Sequence, residues 1–209
     1  MKMKLFVAAS IAILCLSGCK LVKTGEPGKD GAGGDQERVS NVVATTFDSK
    51  LVPALREKAV DLPALQAAIK SGLDGAGKSY GVRVGGAGGG WNFSVKGTGV
   101  VVEEDLATKA AVAKVDVDGD GKPDATLQLG PVVKGTALRD TTTLYDFSTF
   151  RDQIEYAKLG RALNEKAVSS LSLPKGSLNG KKLSFVGATA IRSATEQPLI
   201  APVSIEVAP

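Results

Sequence analysis

Asp116, Asp118, Asp120 and Asp124 crowd one short stretch, with Gly119 and Gly121 set among them. Carboxylates at loop positions 1, 3, 5 and 9, with glycine at 6, suit a calcium ion. That ion takes about six to eight oxygens, and the glycine lets the chain fold sharply back to supply them. Lys122 would add its backbone carbonyl from position 7. Position 12 is Leu127 rather than a bidentate glutamate, and the flanks read as strands, so an EF-hand is excluded. The competing reading is a solvated hairpin turn, since Asp-Gly is a favoured turn dipeptide and occurs twice here. A turn alone needs no four acids so close together, and they repel one another unless a cation neutralises them. The spacing looks like the D-x-D-x-D-G-x-x-D calcium hairpins of integrin-type propeller repeats, in a single copy that implies no propeller.

Other strings match chemistry by letter and fail by context. Gly72–Ser79 satisfies G-x-x-x-x-G-K-[ST], which cradles phosphates only at a turn leaving a strand and opening a helix. Here a helical pattern precedes it, so the stretch reads as a helix stop followed by a loop, and no nucleotide is expected. Ser172 and Lys175 match S-x-x-K, but Pro174 lies between them and no S-D-N partner follows. Histidine is absent altogether, which removes Ser-His-Asp systems, imidazole zinc sites and the commonest general base. Carboxylate chemistry stays formally open, with no pair of acids marked out for it. Lys and Arg total 26 against 22 Asp and Glu, and two of the lysines fall in the first four residues. What remains is nearly balanced and has no basic run interleaved with aromatics, so nucleic acid is not indicated.

At the N-terminus, Lys2 and Lys4 precede an apolar stretch, Leu5 to Leu16, and Ser17, Gly18 and Cys19 follow. A charged start, a short apolar core and a small-residue site make an export signal, and a membrane span would need roughly 20 apolar residues. Leu16-Ser17-Gly18-Cys19 resembles the lipobox of bacterial lipoproteins. In those proteins the cysteine takes a diacylglycerol, the signal is cut before it, and the new amine is usually acylated, often with palmitate. Cys15 would leave with the signal and Cys19 would be consumed by the lipid, so no disulfide is expected. Lys20 stands where an aspartate would favour inner-membrane retention, so the sorting rule implies the inner leaflet of the outer membrane.

The order of elements follows from patterning. Residues 1–18 read as signal peptide, and 19–38, rich in Gly and charge, as a lipidated flexible tether that would span on the order of 25 Å. Residues 39–209 read as a single folded domain, with a helical part at 39–79 and a β part at 80–209. Val43, Phe47, Leu51 and Leu55 recur on one helical face interrupted by Pro53. Asp61 is expected as an N-cap before Leu62, Leu65 and Ile69, with Gly72 as the stop. Strands are expected at 91–103, 110–117, 125–133, 182–190 and 199–207, with one long helix at 149–171. Three strands, a helix and two strands is the order of an OB fold. The expectation is α+β: an OB-like, partly open β-barrel with an N-terminal helical extension. The alternative is an α+β sandwich with the helix laid across one sheet.

Two further spots invite a ligand on this picture. Trp91, the only tryptophan, follows a glycine run and would either stack on a sugar or anchor its strand in the core. Arg139 and Asp140, beyond the third strand, would either meet a ligand or satisfy each other as a surface ion pair.

Phe47–Leu55, Lys58–Leu62, Trp91–Gly99, Asp116–Asp124 and Leu129–Asp140 together resemble family 2291 of domains of unknown function, the bacterial predicted periplasmic lipoproteins. Members are often encoded beside sugar ABC importers and have no established activity. The resemblance implies a lipid-anchored, non-enzymatic periplasmic protein. It would be accessory to sugar ABC uptake, binding a transporter component or a small carbohydrate. The alternatives are a structural envelope factor with a calcium-stiffened hairpin, and a carboxylate hydrolase.

Overall fold

The computed structural model describes residues 32–84 and 89–207. The expected signal peptide, Cys19, most of the expected tether and part of the glycine run before Trp91 lie outside the described residues.

The first helix, α1 (Ala32–Thr46), begins inside the stretch expected to be tether. The reason is that the apolar stripe extends one step back, to Val39, which is buried with Val43 and Phe47. A π turn (Phe47–Leu51) leads into α2 (Val52–Lys58). Pro53 cannot donate to the residue four back, and its ring crowds that carbonyl. Widening the preceding turn accommodates it, so the helix path continues where a kink was expected. A short strand β1 (Val60–Asp61) and helix α3 (Leu62–Ser71) follow, with Pro63 in the first turn. Asp61 is the N-cap residue, but its side chain makes no capping hydrogen bond. Gly72 ends α3 with φ 154°, and α4 (Leu73–Tyr80) occupies the segment expected to be a loop.

The sheet begins with β2 (Gly81–Arg83) and the long β3 (Trp91–Asp105), followed by β4 (Val112–Asp116) and β5 (Ala125–Gln128). Short helix α5 (Ala137–Asp140) and long helix α6 (Gln153–Ser170) separate these from β6 (Lys182–Ile191) and β7 (Leu199–Val207). β3, β4 and β5 form an antiparallel meander, and β6 pairs with both β3 and β7. β5 meets β7 in parallel over only two residue pairs, Thr126 with Leu199 and Leu127 with Ile200. The result is a partly closed sheet of OB type carrying an N-terminal helical segment. β1 and β2 pair with β3, beside the meander.

Two apolar clusters divide the body. One gathers Phe93, Val95, Val115, Leu127, Leu183, Phe185, Ile200 and Ile205 from the strands with Leu62, Leu65 and Ile69 of α3. The other gathers Val39, Phe47, Leu51 and Leu55 with Leu138, Leu159, Leu163, Ala188, Ala201 and Val203, on the opposite face of β6 and β7. Strand alternation explains the division: Leu183 and Phe185 face the first cluster, and Val186, Ala188 and Ala190 face the second. In β7 the parity breaks. Gly187 pairs with Pro202 and Val186 with Ser204, leaving Val203 as an extra residue. Proline has no amide for the ladder, so a bulge beside it is expected chemistry.

Candidate functional site

The bulge at Val203 builds a cleft. A one-residue slip reverses every side chain after it. Ile205 therefore turns to the first cluster, and Ser204 and Glu206 join the outer face. There they continue two cross-strand rows, Lys96–Val186–Ser204 and Thr98–Ser184–Glu206. Adjacent strands lie about 4.8 Å apart, so each row brings three side chains within reach of one small molecule. Arg56 from the end of α2, with Asp61 and Pro63, walls the β3 side, and the open cleft has a volume of about 470 Å³. Thr98 Oγ1 and Ser184 Oγ share a hydrogen bond of 2.8 Å. Asp61 lies beside Lys96 through the parallel pairing of β1 with β3.

The cleft thus offers two cations, two carboxylates and three hydroxyls around apolar surface from Pro63, Phe185 and Val186. It can exchange hydrogen bonds of both polarities with a polyhydroxylated or zwitterionic molecule, and its volume is in the range of small-molecule sites. Sequence reading passed over these residues. The available signal was Pro202 inside a strand pattern, which marks a bulge and so the direction of Glu206.

The aspartate hairpin is organised around Asp116. Gly119 (φ 85°) and Gly121 (φ 81°) sit in the left-handed region that glycine adopts without strain. Their amides donate to Asp116 Oδ1 at 2.7 Å and Oδ2 at 2.8 Å. Those two bonds, the largest contributions, hold the Asp116 carboxyl below its ordinary range. Asp118 and Asp120 accept from the amides of Asp120 and Lys122. Carboxylate oxygens of Asp116, Asp118 and Asp120 lie within 4.8 Å of one another. Asp124 is not part of that group; its Oδ2 accepts from the Val117 amide at 2.8 Å. The Lys122 ammonium lies 3.4 Å from Asp120 Oδ2. Each acid keeps lone pairs beyond those its amide uses, so a hard cation has three donors here and a lysine as competitor.

Trp91 is half-buried and held on several sides. Its Nε1–H donates to Asp74 Oδ1 at 3.0 Å, and the Arg83 guanidinium lies 4.8 Å from its ring centre. The backbone of Gly77 rests on the ring, so that a Cβ there would fall 2.1 Å from Trp91 Cδ2. A sugar stacking on this ring would have to displace Arg83. The same contact explains the phosphate-loop string: Gly72 stops one helix and Gly77 admits the indole, while a helix, not a strand, leads into both.

Arg139 and Asp140 are brought together, but inside the protein, where a surface pair was the alternative expected. Their side chains are 11% and 10% exposed. Arg139 donates to both Asp140 oxygens at 2.7 and 3.1 Å and to the Tyr156 carbonyl at 2.9 Å, with its guanidinium 3.8 Å from the Tyr156 ring centre. Thr136 Oγ1 also donates to Asp140. This fork clamps α5 onto α6. Trp91's partners, Asp74, Gly77 and Arg83, belong to a separate group.

No curated protein matches the chain. Among solved structures, an OB-fold protein from Thermotoga maritima is similar, with a TM-score of 0.60 over 83% of this chain and 98% of its own, at 16% identity. That likeness shows the fold. Residues 9–206 match the family described as predicted periplasmic lipoprotein, DUF2291. The chain belongs to that family of periplasmic lipoproteins.

Proposed function

We propose that this protein is a non-enzymatic binding lipoprotein, anchored through Cys19 to the inner leaflet of the outer membrane. It receives a small carbohydrate in the β3–β6–β7 cleft as an accessory to a sugar ABC uptake system. The observation that carries this reading is the row geometry of Lys96, Thr98, Ser184, Ser204 and Glu206 under Arg56. Donors and acceptors frame there a volume of about 470 Å³, and together with the apolar surface of Phe185 and Val186 they support a ligand with both hydroxyls and an apolar face, as a sugar ring has. Trp91, Arg139 and Asp140 then act as packing and clamping residues and not as ligand contacts.

The test is calorimetric titration of the detergent-purified chain with pentoses, hexoses and their disaccharides. Saturable heat, weakened about tenfold by Glu206→Gln or Arg56→Ala, is expected, since each removes a charged hydrogen-bond partner. Flat titrations across the panel would overturn ligand binding, and release of nitrophenol from nitrophenyl glycosides would overturn the non-enzymatic reading. Recovery of transporter subunits with the tagged protein supports the uptake role, whereas recovery of scaffold proteins alone supports the structural one.

A second reading concerns the hairpin, favoured by the convergence of three carboxylates: calcium binds Asp116, Asp118 and Asp120 and stiffens the β4–β5 turn. In the same titration, calcium heat and a raised melting temperature at millimolar calcium, both lost in Asp118→Asn/Asp120→Asn, are expected. An unchanged melt sinks it.

A further inference from the structure

The charges of the β3–β6–β7 cleft are separated by sign across its width. Lys96 begins the row that runs through Val186 to Ser204, and Glu206 ends the next row, after Thr98 and Ser184. The two charged residues therefore stand at opposite corners of a two-by-three array. Two strand spacings and two residue rises put about 12 Å between their backbones. Arg56 joins the Lys96 side, because the neighbouring Leu55 carbonyl accepts from Ser94 Oγ and so holds the end of α2 along β3. Asp61 lies there too, so two cations against one carboxylate leave one positive charge on that wall. Glu206 leaves one negative charge on the other. Lys182, one row farther out on β6, does not line the cleft.

These four charges are also unengaged. Elsewhere Arg139 is joined to Asp140, Arg83 to Asp74, Lys166 to Asp48 and Arg151 to Asp152. Among the described residues, no side chain makes an ion pair or hydrogen bond with those of Arg56, Asp61, Lys96 or Glu206. That holds even though strand pairing sets Asp61 beside Lys96. A ligand entering the cleft breaks no internal pair, whereas one reaching for Arg139 or Asp140 would have to. Between the charged corners, Thr98 and Ser184 use one hydroxyl proton on each other and keep one to donate, and Ser204 adds a third hydroxyl.

We infer that the ligand of this cleft is a zwitterionic sugar, a ring with a carboxylate on one side and an amine on the other. The carboxylate sits with Arg56 and Lys96, the ammonium sits with Glu206, and ring hydroxyls meet Thr98, Ser184 and Ser204. The inference rests on the proposed sugar-binding role of the cleft. A neutral sugar leaves both walls without an ionic partner, and hydrogen bonds to an ionised group are roughly twice as strong as neutral ones. A uronic acid leaves Glu206 unanswered. An α-amino acid carries both charges but holds them two bonds, about 2.5 Å, apart, which serves one wall only.

The test is calorimetric titration of the detergent-purified chain at neutral pH with four sugars of one stereochemistry: glucose, glucosamine, glucuronic acid and 2-amino-2-deoxyglucuronic acid. The last is expected to bind about tenfold more tightly than either singly charged sugar, and these about tenfold more tightly than glucose. Glu206→Gln should erase the advantage of glucosamine over glucose and leave that of glucuronic acid, and Arg56→Gln with Lys96→Gln should do the reverse. Raised salt should narrow the spread among the four. Equal affinity for all four sugars overturns the inference and leaves the sugar-binding reading intact. Flat titrations with all four overturn both. Charge preferences that none of the substitutions moves overturn the placement in this cleft, and tighter binding of alanylalanine than of any sugar overturns the sugar in favour of a peptide.

Discussion

Gly77 and Asp116 show how single residues here answer to contacts that their motifs do not suggest. In an exposed helix, Gly→Ala stabilises by about 1 kcal/mol. In α4 the added methyl would overlap the Trp91 ring at 2.1 Å, and overpacking of that kind costs about 1–3 kcal/mol. The clash wins, so Gly77→Ala is expected to lower stability. Because Trp91 is the only tryptophan, its emission should shift to the red as the ring is driven out; an unchanged spectrum with a raised melting temperature would refute this. Asp116 carries a pH prediction. Its folded carboxyl is held below the ordinary value, first by the Gly119 and Gly121 amides, as Glu104 is by Ser177 and Leu178. A depressed acid contributes stability that is complete above the unfolded value, near pH 4, and is lost as pH falls through the folded one. Melting temperature should therefore be flat from about pH 7 to 5 and fall steeply toward pH 2. Asp116→Asn should lower the neutral plateau and flatten the acid limb, and parallel curves would contradict the assignment.

At the scale of elements, α6 depends on its first turn. Asp152 satisfies two amides that have no partner inside the helix, and buried Glu155 accepts from the Arg151 amide at 2.7 Å while also receiving Arg38. Asp152→Ala is expected to lower the melting temperature by about 2–4 °C in a protein of this size, read by circular dichroism. Restoration by Asp152→Ser but not by Asp152→Val would identify capping as the cause. The long elements were legible because their patterns are long: β3, α6, β6 and β7 lie within a few residues of where alternation and helical spacing put them. The short ones were not. β1 and α5 are too brief for a period to show, and α4 reads as a loop because Gly72, Gly75 and Gly77 break the pattern, the last of them there to admit the Trp91 ring. The π turn was illegible for another reason, since Pro53 signals a break and only tertiary contacts at Leu51 and Leu55 keep the helix path intact.

Taken whole, the molecule arranges one sheet between two apolar clusters, and its OB-type order was readable from the sequence of patterns. The site was not. The residues singled out for chemistry were those that look unusual in a string: a lone tryptophan, an adjacent Arg–Asp, a run of aspartates. In the fold, Trp91 and the Arg139–Asp140 pair spend their polar atoms on neighbours within the chain. The cleft is assembled from ordinary lysine, threonine, serine and glutamate, made notable only by register. Cross-strand register depends on a single inserted residue, and no local pattern reports it. Val203 is that residue, and it belongs to the helix-side cluster while deciding which way Ser204 and Glu206 point. Were Val203 paired regularly with Val186 in place of the bulge, the strand's end would turn inside out, setting Glu206's carboxylate against Leu183 in place of Ile205. The helix-side packing of Val203 and the acid side of the cleft are therefore tied through one bulge on the same face, so that loosening the helices' hold on Val203 would also disturb Ser204 and Glu206.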